Sequence, residues 1–189
     1  MIYIATHKKF NVPNLNGYCA LQVGAEGKEK YGYLRDNIGN HISGKNANYC
    51  ELTGLYWIWK NTDDSYKGLV HYRRYFGRNN LSNKISDICS YEYLLNCLKS
   101  VDIVLPYVEY FKQNAKEEIL LHCCTEEIFD KLRQIIETKY PDYIETYDRY
   151  FNENKASLFN MLFCKREIFD AYCEWLFSIL FVLEKQVDL

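Results

Sequence analysis

Four consecutive residues at the end of one apolar run carry the densest chemistry in this sequence: His71, Tyr72, Arg73 and Arg74, within GLVHYRRYF at 68–76. A guanidinium presents a planar fork that meets two phosphate oxygens at once. Two such groups beside an imidazole and a phenol read as a local anion site in a chain whose net charge is −2. A second reading competes with it. Neighbouring residues of a strand point to opposite faces, so only one arginine would face a ligand unless the strand has ended by Arg73. His71 and one arginine would then form a buried ion-pair network with Glu51 or Asp36.

The other candidates are weaker. Asn48 followed three residues later by Glu51 fits a capping box, and spacing alone favours that role for Glu51, worth about 1 kcal/mol. The alternative has Glu51 accept hydrogen bonds from a sugar hydroxyl or an arginine. His122, beside Cys123 and Cys124, reads as a core histidine rather than a base. Asp63 and Asp64 lie in a turn ahead of a strand and read as turn residues. No Ser/His/Asp order, P-loop, GxGxxG or metal-binding DxD stands out. The cysteines form no CxxC pair, no histidine lies at zinc-finger spacing, and the thiols are expected to be reduced and mostly buried.

The elements that must position these residues follow from periodicity and punctuation. Residues 1–6, MIYIAT, predict a buried strand ending at His7 and Lys8. Leu21–Ala25 and Tyr31–Leu34 are weaker strand candidates. A polar loop, DNIGNHISGKNANY, leads to a helix expected over 49–60 with Asn61 as its stop. The strand YKGLVHY follows. Ser90 is expected to cap the helix YEYLLNCLKS, and VDIVLP reads as a buried strand. A helix starts near Lys116, and Thr125 caps another whose apolar stripe is Ile128, Leu132, Ile135 and Ile136. Pro141 ends that helix, and residues 142–151 follow as a short one. NENKAS reads as a loop, SLFNMLFC as a strand and 166–185 as a long helix. Strands alternating with helices imply an α/β fold with a mostly parallel, Rossmann-type sheet flanked by helices. In such sheets ligands sit at the carboxyl ends of the strands, which is where His7, Lys8 and the His71–Arg74 cluster fall.

A length of 189 residues predicts one domain, with no linker to divide it. The 18 Tyr, 10 Phe and 3 Trp suit packing against sugars and bases. A compositional bias towards Tyr, Asn, Lys and Ile explains them equally well. The slight negative charge argues against nucleic acid as a partner. WLFSILFVL, at 175–183, is far shorter than the roughly 20 residues a bilayer span needs. It is expected to be a buried helix, with peripheral membrane contact left open.

NYCELTGLYWIWKN, YKGLVHYRRYF, DIVLP and FNMLFCKREIFDAYCEWLFSIL, with THK, QVGA and DNIGNHISGKN, together resemble the bacterial glycosyltransferases grouped as domain of unknown function 4422. The resemblance runs over nearly the whole chain. It implies a relative of the GT-A enzymes and transfer of a hexose, galactose or galactofuranose, from a UDP-linked donor to a growing capsular, exopolysaccharide or lipid-linked glycan. It implies a cytoplasmic protein, in reach of the inner face of the membrane. His7, Lys8, Asp36, Asn37 and Asn46 would lie near the nucleotide, Tyr72, Arg73 and Arg74 near the diphosphate, and Asn160 near the sugar. Glu51, Asp36 and His71 are the catalytic candidates. HYRR occupies the place where many GT-A enzymes carry DxD, so the expectation is metal-independent binding, with Mn or Mg as the alternative. Family members continue beyond the long helix, so the chain is expected to be a short or truncated member. A catalytically inactive nucleotide-sugar or carbohydrate-binding module is the competing expectation.

Overall fold

The computed structural model describes residues 1–78 and 84–187. In chain order the first elements are β1 (Ile2–Thr6), β2 (Tyr18–Gln22), β3 (Leu34–Arg35), α1 (Asn46–Tyr49), α2 (Leu52–Asn61) and β4 (Tyr66–His71). Then come α3 (Tyr91–Cys97), β5 (Ile103–Val104), β6 (Val108–Tyr110), α4 (Ala115–His122), α5 (Glu126–Lys139) and α6 (Ile144–Asn152). The last are β7 (Lys155–Ser157), β8 (Leu162–Lys165) and α7 (Arg166–Glu184).

These elements form two compact units, Met1–Pro106 with Phe159–Cys173, and Tyr107–Leu158 with Glu174–Leu189. The first unit holds a six-stranded sheet in the order β3-β2-β1-β4-β8-β5. Strands β3, β2, β1 and β4 run parallel, while β8 is antiparallel to both of its neighbours. β1 is buried at every position because both faces of the sheet are covered there, Ile2 and Ile4 packing in a cluster with Leu94 of α3 and Tyr3 against Trp57 of α2, which is why IYIA reads as an unbroken apolar run. Beside β4, Gly68 is needed for space: a Cβ there would stand 2.9 Å from the Leu162 carbonyl oxygen, so only glycine lets β8 pair this closely.

The one buried lysine of the described residues, Lys67, also lies on β4. Its Nζ donates to Asp170 on α7 at 2.8 Å. A buried ammonium needs such a partner, and the pair anchors the first turns of α7 to the sheet.

Ser90 and Thr125 cap their helices as expected, accepting from the Tyr93 and Ile128 amides. In the second unit the α5 stripe supplies Ile135 and Ile136 to a cluster with Ile179, and Phe129 is also buried. No helix among the described residues is long and apolar enough to cross a membrane.

Several expectations fail for identifiable reasons. The helix placed over 49–60 is two, because Cys50 adopts φ 47 and ψ −128 and breaks the turn. VDIVLP contributes only Ile103–Val104 as an edge strand, leaving Val101 and Leu105 about half exposed. Within NENKAS, Lys155–Ser157 pairs antiparallel with β6, a contact no local pattern announces. SLFNMLFC is not one strand: Ser157 ends β7 and residues 162–164 belong to β8, because Phe159 and Asn160 between them take left-handed φ of 75 and 50. His122 is exposed at the end of α4, beside Glu118 at 3.3 Å, rather than in a core. All eight cysteines are free, but only Cys89, Cys164 and Cys173 are buried.

Removing the partner of Lys67 leaves an uncompensated buried charge, so Asp170→Ala should cost about 3 kcal/mol. Denaturant unfolding checks this. The double change Lys67→Met with Asp170→Ala should recover most of the loss, because it removes the charge along with its partner.

Candidate active site

β1 and β4 are parallel neighbours with Ala5 opposite His71, so both chain exits leave the same edge of the sheet. β4 ends at His71. The next three residues form a tight turn in which the His71 amide donates to the Arg74 carbonyl and the Arg74 amide donates to the His71 carbonyl, both at 3.0 Å. The Tyr72 amide donates to the Ala5 carbonyl at 3.1 Å and ties the turn to β1. Since the strand has ended, the rule of alternating faces does not separate the two arginines.

Arg73 and Arg74 are both exposed, and neither has an acidic partner among the described residues. Aromatic rings hold their guanidinium groups instead. Arg73 lies 5.0 Å from the Tyr72 ring centroid, and Arg74 lies 4.0 Å from that of Phe159. Such contacts are worth about 0.5–1 kcal/mol at exposed positions. The Tyr72 ring also meets Lys8 Nζ at 5.2 Å, the His7 ring at 5.5 Å and Phe10 at 5.9 Å. One phenol thus gathers His7, Lys8 and Arg73. Of the competing network of His71 and one arginine with Glu51 or Asp36, only His71 and Glu51 come together, at 3.8 Å; neither arginine pairs with either carboxylate.

Glu51 departs from the capping-box reading. It occupies the N-cap position of α2, yet its side chain makes no capping bond. The kink at Cys50 turns it towards β4 and β8. There Glu51 Oε1 accepts from Asn160 Nδ2 at 2.8 Å and lies 3.8 Å from His71 Nε2. Among the described residues Cys50, Phe159 and Asn160 are the non-glycine positions with positive φ, and all three adjoin this cluster. Strained backbone of this kind, costing about 1–3 kcal/mol per residue, collects where a site must be held in one geometry.

His71 Nε2 is buried and has no hydrogen-bond partner among the described residues. Burial holds the imidazole below its ordinary range. Glu51 opposes that shift, Arg74 reinforces it, a backbone hydrogen bond to Phe159 opposes it, and Arg73 reinforces it.

Asp36 is corrected from candidate base to scaffold. It is fully buried, and its carboxylate accepts four hydrogen bonds. The donors are the Gly24 and Ala25 amides at 2.8 and 3.0 Å and the Ser43 and Thr53 hydroxyls at 2.5 and 2.7 Å. A carboxylate with every lone-pair direction occupied has nothing left for a substrate proton. Asn46 is likewise committed, donating to the Cys50 carbonyl at 2.6 Å and to Thr53 Oγ1 at 3.0 Å. Asn37 accepts from Arg35 Nε at 3.2 Å. Asn160, expected at the sugar, spends its amide on Glu51. Sequence reasoning missed Phe159 and the bend at Cys50, since both depend on backbone angles. Among the described residues no group of three or more His, Cys, Asp or Glu is placed to hold a metal ion.

The family model described as "Domain of unknown function (DUF4422)" matches residues 1–189. Among solved structures, the apo structure of the WbbM bifunctional glycosyltransferase is similar, with a TM-score of 0.87 and 28% sequence identity. The match covers 100% of this chain and 37% of that one. No curated protein matches the chain.

Two outcomes follow. Asp36→Asn places an amide among four donors and should destabilise the protein by about 3 kcal/mol, whereas Glu51→Gln should leave the melting temperature near wild type. Thermal unfolding of the two variants compares them. The unfolded chain binds a proton at His71 near pH 6.5, while the folded chain does so only at lower pH. Stability linked to this group is therefore fully present above pH 6.5 and lost as pH falls from there through the lower folded-state pKa. The wild-type melting temperature should drop more steeply there than that of His71→Asn.

Proposed function

Since the chain belongs to the DUF4422 family, we propose that it is a glycosyltransferase that moves a hexose from a nucleotide-diphosphate sugar to a saccharide acceptor. The observation that carries this reading is the pair of exposed arginines on the β4 turn, without acidic partners among the described residues and 4.0–5.0 Å from aromatic rings. The likeness to the WbbM glycosyltransferase over the whole of this chain supports the reaction class. We favour a UDP-linked galactose or galactofuranose as donor and a growing surface polysaccharide or lipid-linked oligosaccharide as acceptor, at the inner face of the membrane.

The proposed reaction is a single displacement. Glu51 accepts the proton of the acceptor hydroxyl. The acceptor oxygen bonds to the anomeric carbon as the bond from that carbon to the diphosphate oxygen breaks. The bonding pair leaves with the nucleotide diphosphate, whose added charge meets Arg73 and Arg74. Preorganised positive groups at the developing charge lower the barrier. Lys8, gathered with His7 on the same Tyr72 ring, extends the positive surface towards the nucleotide. In this arrangement guanidinium groups take the place of a divalent cation.

Calorimetry with UDP-galactose tests the reading. Wild type should bind equally with and without EDTA, and Arg73→Ala should bind about tenfold more weakly, as expected when a charged hydrogen bond is lost. Loss of wild-type binding in EDTA would refute the metal-free arrangement, and unchanged binding by Arg73→Ala would remove the diphosphate role. Donor turnover separates a transferase from a module that only binds: Glu51→Gln should bind UDP-galactose like wild type yet turn it over at least about a hundredfold more slowly.

A further inference from the structure

Two adjacent residues with left-handed backbone touch two of the groups to which the transfer reaction assigns a task, Arg74 and Glu51. The Phe159 ring lies 4.0 Å from the Arg74 guanidinium. The next side chain, Asn160, donates to Glu51 Oε1 at 2.8 Å. Their φ values, 75 and 50, aim the two side chains in a way that an extended entry into β8 would not. Asparagine tolerates such angles, but phenylalanine rarely adopts them. The chain accepts this strain at two consecutive positions, and what it obtains is contact with an arginine on one side and a carboxylate on the other.

We propose that the Phe159–Asn160 turn is a positioning element that fixes Arg74, the anion-binding group, and Glu51, the proton acceptor, at one spacing. Phe159 acts on donor binding through Arg74, and Asn160 acts on acceptor activation through Glu51. Neither residue needs to touch the reacting atoms. The inference rests on the transferase reading and adds to it a division of labour between neighbouring side chains.

Phe159→Leu and Asn160→Gly separate the two tasks. Glycine accepts the Asn160 backbone angle without strain, so Asn160→Gly removes the donor to Glu51 while keeping the turn. It should lower kcat for transfer, or for donor hydrolysis, by about tenfold to a hundredfold, as small misplacements of a catalytic group do. Its affinity for UDP and its melting temperature should stay at or above wild type. Phe159→Leu should weaken UDP binding about fivefold through loss of the cation–π contact, with kcat at saturating donor within about twofold of wild type.

Three results would overturn the proposal: wild-type kcat in Asn160→Gly, wild-type UDP affinity in Phe159→Leu, or a parallel fall in UDP binding, kcat and melting temperature in both variants. The last would make the turn a structural support only. Wild type itself is measured first. If it binds no UDP and turns over no UDP-galactose, the transferase reading fails. If it binds but does not turn over, the Asn160 arm falls with that reading and the Phe159 arm is still decided by affinity.

Discussion

The parallel register of β1 with β4 is the constraint on which the rest of the first unit depends. It sets Ala5 opposite His71 and so makes two separate stretches of chain leave the sheet at one edge. Burial of β1 on both sides enforces that register. A slip of one residue would exchange its two faces and set Tyr3, packed edge-on to Trp57, where Ile2 and Ile4 now fill the opposite cluster. Once the register is fixed, the Tyr72 amide finds the Ala5 carbonyl. Lys8 after β1 and Arg73 after β4 then meet over one phenol. Charge accumulates at this edge because hydrophobic pairing leaves those residues nowhere else to go.

Much of this was legible in the sequence. The apolar runs of β1 and β4, the caps Ser90 and Thr125, and the long α7 helix follow from periodicity and turn chemistry. The position of the HYRR cluster follows from the rule that parallel strands offer their carboxyl ends. That same rule hid Phe159 and Asn160. β8 runs antiparallel to β4, so it contributes its entry, not its exit, to the edge where β4 ends. Nothing local in SLFNMLFC declares its direction. Glu51 was obscured for a related reason. Its spacing from Asn48 satisfies a capping box, and only the φ of Cys50 shows that the helix stops short and releases the carboxylate.

Asp36 illustrates the opposite error. An acidic residue in a polar, glycine-containing loop beside a candidate site invites a chemical role. The structure gives it four donors and no exposure. A charge buried this completely organises backbone instead of reacting. It closes the loop after β3 on the turn after β2, and polar composition alone cannot distinguish that task from catalysis.

The same carboxylate also stands at one end of a relay. Thr53 donates to Asp36 and accepts from Asn46, and Asn46 donates to the carbonyl of Cys50, the residue before Glu51. Drift within this loop is therefore not free to proceed one letter at a time. Replacing threonine 53 by an isosteric valine would break two links at once and be felt at residue 51, although neither side chain touches the other. Any change in the setting of Glu51 made from a distance would begin in that relay.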